Sequence, residues 1–214
     1  MNTPLRVDIV SDVMCPWCII GYRQLVTALE VTDTEHEIHW HPFELNPDMP
    51  PEGQNVREHI IEKYGTTPEQ SEQSRIQMTT LGSELGFNFR FDENMRMYNT
   101  FNVHQLIHWA DTQGREHDVK QALFSAHFTN RRDLSDINIL ADIAEETGLN
   151  RTEALEVLED QRFASEVRQM QNFWLQKGIR GVPAIVFDHQ HLVSGAQGVE
   201  NFTRILEKLT QAGG

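Results

Sequence analysis

The chain has 214 residues, 39% of them hydrophobic, and 32 acidic against 18 basic side chains give it a formal net charge of −14. That is long for one simple domain and short for two independent ones, so a single domain carrying a large insertion fits best. The acidic balance excludes a nucleic-acid backbone or an anionic membrane surface as the principal partner, and no apolar stretch approaches the length of a membrane span.

Met1-Asn2-Thr3-Pro4 carries no targeting pattern, because Arg6 and Asp8 interrupt the apolar run that such a signal needs, and a cytoplasmic location is expected. The first predicted element is a strand over Leu5-Arg6-Val7-Asp8-Ile9-Val10. Cys15-Pro16-Trp17-Cys18 follows almost at once. An amphipathic stretch with Ile19, Ile20, Leu25, Val26 and Leu29 then predicts a helix. A strand that turns directly into a helix places Cys15 at the helix N-terminus. There, unpaired backbone N–H groups and the positive end of the dipole favour a thiolate over a thiol. Cys18 lies one turn along, within reach of that sulfur and better shielded. Pro16 suits the first turn, where its missing N–H costs little. Trp17 sits between the sulfurs and is expected to be exposed, in contact with substrate.

These are the only two cysteines in the chain. A C-x-x-C pair is also half of a zinc site, and ten histidines could complete one. A pair that opens a helix after a buried strand, with no second pair elsewhere, points to redox chemistry instead, and no metal is expected. In a reducing cytosol a lone pair of this kind is catalytic rather than a structural staple.

A second strand is expected over Glu35 to Leu45. Ile38 and Trp40 alternate with His39 and His41 until Pro42 shifts the phase to Phe43 and Leu45. Asn46-Pro47-Asp48-Met49-Pro50-Pro51 stops that strand and marks a domain junction. From Glu52 to Gly178 almost everything reads as helix. Thr67-Pro68-Glu69 is a helix start with proline at the first position. Phe87, Phe89 and Phe91 suggest a short extended stretch. Val103, Leu106, Ile107 and Ala110 form a buried helical stripe. Ser135 is expected to cap a helix through Ile137, Leu140, Ala141 and Ala144 that stops near Gly148. Phe163, Val167, Met170 and Trp174 form a further stripe, ended by Gly178.

His104 and His108 have the spacing of a helical metal pair, but they flank the apolar stripe and read as surface or boundary residues. His39 with His41, and His189 with His191, read as polar strand faces. Beyond Gly178, Ala184-Ile185-Val186-Phe187 and His191-Leu192-Val193-Ser194 are strands about a hairpin turn at Asp188-His189-Gln190. Phe202, Ile205, Leu206 and Leu209 close the chain with an amphipathic helix. The order is βαβ, a helical insert, then ββα.

That order, with C-x-x-C opening the first helix, resembles the thioredoxin superfamily with a helical domain inserted between its halves, the layout of the DsbA family. The likeness spans essentially the whole chain. Segments Val10 to Cys18, Pro42 to Pro47, Asn99 to His104, Gly181-Val182-Pro183 and Val193 to Gln197 look like the FrnE-like branch. The resemblance implies an α/β thioredoxin-like domain from residues 1–45 and 179–214, with a large all-helical insert over 46–178. It implies a thiol–disulfide oxidoreductase in which Cys15 attacks and Cys18 resolves. It also implies a cis Pro183 facing the redox turn, with Val182 backbone groups left free for substrate. Read from the residues alone, Pro183 would be an ordinary trans proline opening an edge strand. Pro16, Trp17 and Val182 are the expected substrate contacts. Partners would be thiol- or disulfide-containing proteins or peptides, with glutathione a further option, and the chemistry needs no metal, nucleotide or flavin cofactor.

The same insert layout is similar to kappa-class glutathione transferases and 2-hydroxychromene-2-carboxylate isomerases. Those usually carry serine at the nucleophile and lack the second cysteine, whereas both cysteines are kept here. A non-enzymatic module using the pair only as ligands is a third option. One departure from the thioredoxin pattern stands out. The strand position six before the nucleophile, often a buried acid, is Ile9. Asp8 points to the opposite strand face. Asp12 lies in the turn and could serve in place of that acid, with a capping or solvated role the nearer expectation.

Overall fold

The computed structural model describes residues 4–212, so Met1 to Thr3 of the segment read for targeting lie outside it. The chain opens with β1 (Leu5–Ser11), α1 (Pro16–Val31) and β2 (His36–Pro42). A long middle section follows: β3 (Gln54–Asn55), α2 (Val56–Tyr64), α3 (Pro68–Glu84), β4 (Arg96–Met97), α4 (Phe101–Thr112), α5 (Glu116–Phe128), α6 (Ile137–Glu146), α7 (Arg151–Asp160) and α8 (Ala164–Gln176). The chain then returns through β5 (Ala184–Phe187) and β6 (His191–Ser194) and ends in α9 (Val199–Ala212).

One sheet runs in the order β2-β1-β5-β6, with β1 parallel to β2 and antiparallel to β5, and β5 antiparallel to β6. This is the expected α/β thioredoxin-like fold with its helical insertion between βαβ and ββα. The insertion is helical apart from the short antiparallel pairing of β3 with β4.

β1 is the centre of the molecule, and its sequence shows why. Val7 and Ile9 enter the main core with Ile19 and Leu25 of α1, while Val10 packs on the other face with Trp174, Ile179, Ala184 and Val186. A strand covered on both faces needs apolar residues at odd and even positions alike. The main core continues without a break from these residues into Val103, Leu123, Leu140 and Val157 of the insertion. β2 is shorter than the Glu35 to Leu45 run, ending at Pro42, which has no N–H to continue a ladder.

Thr67 caps α3 as expected, with Pro68 in the first turn and the Gln70 side chain accepting the Thr67 N–H in return. The cap of α6 differs by one residue from expectation. Asp136, not Ser135, accepts the Asn138 N–H at 2.8 Å, and Ser135 instead gives both its N–H and its hydroxyl to Asp133. The Phe87 to Phe91 segment joins neither helix nor sheet. Its alternation is served by ring packing, Phe87 and Phe89 against each other and against Phe128. Among the described residues no helix is long and apolar enough to cross a membrane.

Candidate active site

Cys15 is the residue immediately before α1, with extended backbone angles (φ −94°, ψ 111°) and Pro16 next to it. Its N–H donates to the Asp12 carbonyl at 3.1 Å, and the Cys18 N–H donates to the Cys15 carbonyl at 3.0 Å. These bonds close the turn that leads from β1 into α1. Both thiols are free; Cys15 keeps 6% of its surface exposed and Cys18 none. Burial, followed by the hydrogen bond and charge of Cys15, pushes the Cys18 thiol well above the usual cysteine range. The two sulfurs are therefore unequal, the outer one accessible and the inner one held protonated.

The Val182–Pro183 peptide bond is cis and stands against this turn. The Cys15 thiol reaches the Val182 carbonyl at 3.7 Å, so that carbonyl faces the sulfur. Pro183 is buried. The approach is close because position 21 of α1 is glycine. A Cβ there would stand 3.2 Å from Pro183 Cγ and 3.4 Å from the Ala196 Cα. The sequence signal was present as a lone glycine inside an amphipathic helix, where a packing reason is the usual explanation.

Trp17 is half-buried rather than exposed, because it packs against the core edge. With Met14, Cys15, Pro16 and Val182 it lines a cavity of about 380 Å³ whose far wall includes Ile60, Met78 and Phe128. Cys15, Pro16, Trp17 and Val182 thus share one cavity, with Cys18 and Pro183 buried beside it.

Asp12 departs from expectation. It keeps a turn role, accepting the Met14 N–H at 3.1 Å, but it is 1% exposed rather than solvated. Its other oxygen accepts the Leu45 N–H at 2.8 Å and the Thr100 hydroxyl at 3.2 Å. Burial raises its pKa to about 6, with the bonds from Leu45 and Met14 and the charge of Lys120 opposing the rise. Asp12 is thus the tie that fastens two distant segments to the turn before Cys15. Those segments are also tied to each other: the Asn99 amide donates to the Pro47 carbonyl at 2.9 Å and His104 Nε2 to the Phe43 carbonyl at 2.9 Å. His104 is consequently buried, not a boundary residue, and burial holds its pKa down to about 3. Its neighbour His108 packs edge-on against Phe163.

Lys120 was not anticipated. It comes from α5, is 1% exposed, and holds its ammonium 5.2 Å from the Trp40 ring and 5.3 Å from the Phe124 ring. Burial lowers its pKa to about 8, while the nearby Cys18, Asp12 and Glu116 act the other way. Glu116 is itself raised to about 7, first by burial and then by the charge of Asp111.

On the far face of the sheet Asp8 is fully buried among Arg6 at 2.7 Å, His41 at 2.8 Å and His189 at 3.2 Å. Asp8 does point away from Ile9, as the strand period requires, and the two histidine pairs are split, one member of each going to this carboxylate. Among the described residues no group of three or more His, Cys, Asp or Glu side chains is arranged to hold a metal ion.

A mixed sheet with a helical insertion, and a dithiol at the first helix start against a cis-proline loop, define a thioredoxin-like protein of the DsbA layout. The DSBA-like thioredoxin domain family matches residues 6–207, and the chain belongs to that family. A probable DsbA oxidoreductase from Streptomyces coelicolor is 32% identical, with a TM-score of 0.89 over 95% of this chain and 89% of its own. The fold is shared more distantly with a 2-hydroxychromene-2-carboxylate isomerase, at 12% identity and a TM-score of 0.71 over 97% of each chain. It is also shared with the cytosolic disulfide reductase DsbM of Pseudomonas aeruginosa, solved with GSH, at 15% identity and a TM-score of 0.64 over 96% and 99% of the two chains.

Proposed function

We propose that this protein is a thiol–disulfide oxidoreductase whose working pair is Cys15 and Cys18. The observation that carries the reading is the inequality of the sulfurs at the start of α1, with Cys15 opening onto an apolar cavity and Cys18 sealed behind it. The Cys15 thiolate attacks one sulfur of a substrate disulfide and expels the other as a thiolate. Cys18, once deprotonated, attacks Cys15, releases the second substrate sulfur and leaves a Cys15–Cys18 disulfide. Two electrons pass to the substrate, and the reverse sequence oxidises a substrate dithiol.

In this reading Pro16, Trp17 and Val182 contact the substrate, and Pro183 holds the facing loop against the pair. The substrate is a protein or peptide thiol or disulfide. Glutathione is a low-molecular-weight partner, supported by the fold shared with a disulfide reductase solved with GSH. The protein works in the cytoplasm as a FrnE-like member of its family, with 46–178 as an insertion that walls the cavity and 1–45 with 179–214 as the redox unit. Likeness to an isomerase fold keeps a glutathione-dependent transferase or isomerase as the second reading, and the retention of both cysteines favours exchange. Trapping tests it. A Cys18→Ser variant should accumulate partners as reducible mixed disulfides on Cys15, and a variant that captures none, or captures them equally after Cys15→Ser, contradicts the proposal.

A further inference from the structure

A second cavity, of about 210 Å³, shares no lining residue with the one beside Cys15. Its walls mix apolar groups such as Trp40, Ile107 and Met170 with ionisable ones: Lys120 and Glu116 from α5, His104 and Asp111 from α4, His41 from β2 and Arg6 from β1. His39 and His108 complete its ionisable lining. Lys120 is the one of these that also lies close enough to the redox turn to act on Cys18 and Asp12.

A lysine in such a place requires a reason. Val119, Leu123 and Phe124 around it are fully buried, so Lys120 sits on the apolar stripe of α5 rather than beside it. Removing an ammonium from water is unfavourable unless something offsets it, and a buried ionisable group that faces a reactive one is a candidate for function. No strand carboxylate underlies the sulfurs, because that position is Ile9. Both oxygens of Asp12 are engaged, by Met14 on one side and by Leu45 and Thr100 on the other. The group left to respond to charge on Cys18 is Lys120.

We propose that Lys120 is a positioning residue for the resolving step, its buried ammonium stabilising the Cys18 thiolate at the moment it attacks the mixed disulfide. The inference rests on the dithiol reading given above. In that step the Cys18 thiol gives up its proton, and its electron pair forms the Cys18–Cys15 bond. The Cys15–substrate bond breaks, and the leaving substrate sulfur takes up a proton. Charge is conserved, and Lys120 is needed only while the thiolate exists. Lys120 lines the same cavity as the Glu116 and Asp111 carboxyls, and its ammonium can hold its proton while negative charge appears in front of it and release it at higher pH. The groups that share in this balance are Asp12 and Cys15 from the turn, Cys18 from α1, Glu116 from α5, His104, His108 and Asp111 from α4, and Arg6, His39 and His41 from the sheet.

Rapid mixing of the reduced full-length protein with an aromatic disulfide that releases a coloured thiolate separates the two steps. The first release reports attack by Cys15 and depends on reagent concentration; the second reports resolution by Cys18 and does not. Lys120→Met should slow the second release by about tenfold or more near neutrality, the equivalent of about one pKa unit at Cys18. Lys120→Arg should restore most of the loss, since it returns the charge. The gap between Lys120→Met and wild type should close as pH rises past about 8, where the wild-type ammonium is lost. A second release unchanged in Lys120→Met, or slowed by the same factor at every pH, overturns the role of Lys120. A wild-type protein that releases only one coloured thiolate overturns the dithiol reading itself, and that failure appears before any lysine variant is made.

Discussion

Lys120→Met should make the protein more stable at neutral pH, even though it removes a buried side chain with aromatic partners. The magnitude follows from the environment of the ammonium. Its pKa falls from 10.5 to about 8 in the folded protein, mainly through burial. That difference corresponds to about 3 kcal/mol by which the folded state disfavours the charged form. The sign follows from proton counting. Between about pH 8 and 10.5 the unfolded chain binds more protons at this site than the folded one, so stability rises with pH across that window. Below it the full penalty is present. Methionine keeps the length of the side chain and removes the charge. It forfeits the contacts of the ammonium with the Trp40 and Phe124 rings, each of the order of 1 kcal/mol. A net gain of about 1–2 kcal/mol at pH 7 remains. Guanidinium denaturation of wild type and variant at about pH 7 and about pH 10 reads it directly, as a gain at the lower pH that shrinks at the higher. A variant less stable than wild type at neutral pH, or a gain equal at both, would refute the electrostatic argument. Higher stability with slower resolution is the trade-off expected of a group retained for chemistry rather than for folding.

Other consequences follow from the same geometry. Asp8 is held at a pKa of about 2, because the bonds from His41 and Arg6 outweigh the upward effect of burial. Its charge therefore contributes about 2 kcal/mol above the unfolded value of 3.8, lost as pH falls through about 2. Asp8→Asn should be destabilised near neutrality, with the difference from wild type narrowing in acid; urea denaturation showing a pH-independent difference would contradict this. Gly21→Val places methyl groups against Pro183 and Ala196 and should lower stability by about 1–3 kcal/mol, so an unchanged melting temperature would count against the close approach. Iodoacetamide with peptide mapping should label Cys15 ahead of Cys18, since Cys18 is sealed and its thiol is pushed up. The reverse order would exchange their assigned roles.

Much of the fold and the placement of the cysteine pair could be read in the residues because their signals are local. A strand apolar on both faces running into C-x-x-C and then into a helical stripe specifies β1, the turn and α1 within about thirty residues. The α4 stripe was equally clear. Capping was legible in kind but not always in position: Ser135 and Asp136 are both good caps, and the choice depended on Asp133 taking the serine first. β3 and β4 have two residues each, too few for any period to show. The cis Val182–Pro183 bond was visible only through resemblance.

What escaped was buried polarity. Asp12 finds its partners 33 and 88 positions away, so nothing near it in the chain announces that the turn is dry. His104 was misplaced for the same reason, its carbonyl partner lying 61 positions back. Lys120 did leave a trace. With Leu123 and Phe124 it occupies the i, i+3, i+4 face of α5, an apolar stripe centred on a lysine, which asks what that charge faces.

The most direct test of the account is turnover of a protein disulfide by the wild type, Cys15→Ser and Cys18→Ser proteins with a dithiol as the reductant. The account predicts repeated turnover by the wild type, none by Cys15→Ser, and a single stoichiometric mixed disulfide with Cys18→Ser. Multiple turnovers by Cys15→Ser at the wild-type rate would contradict it.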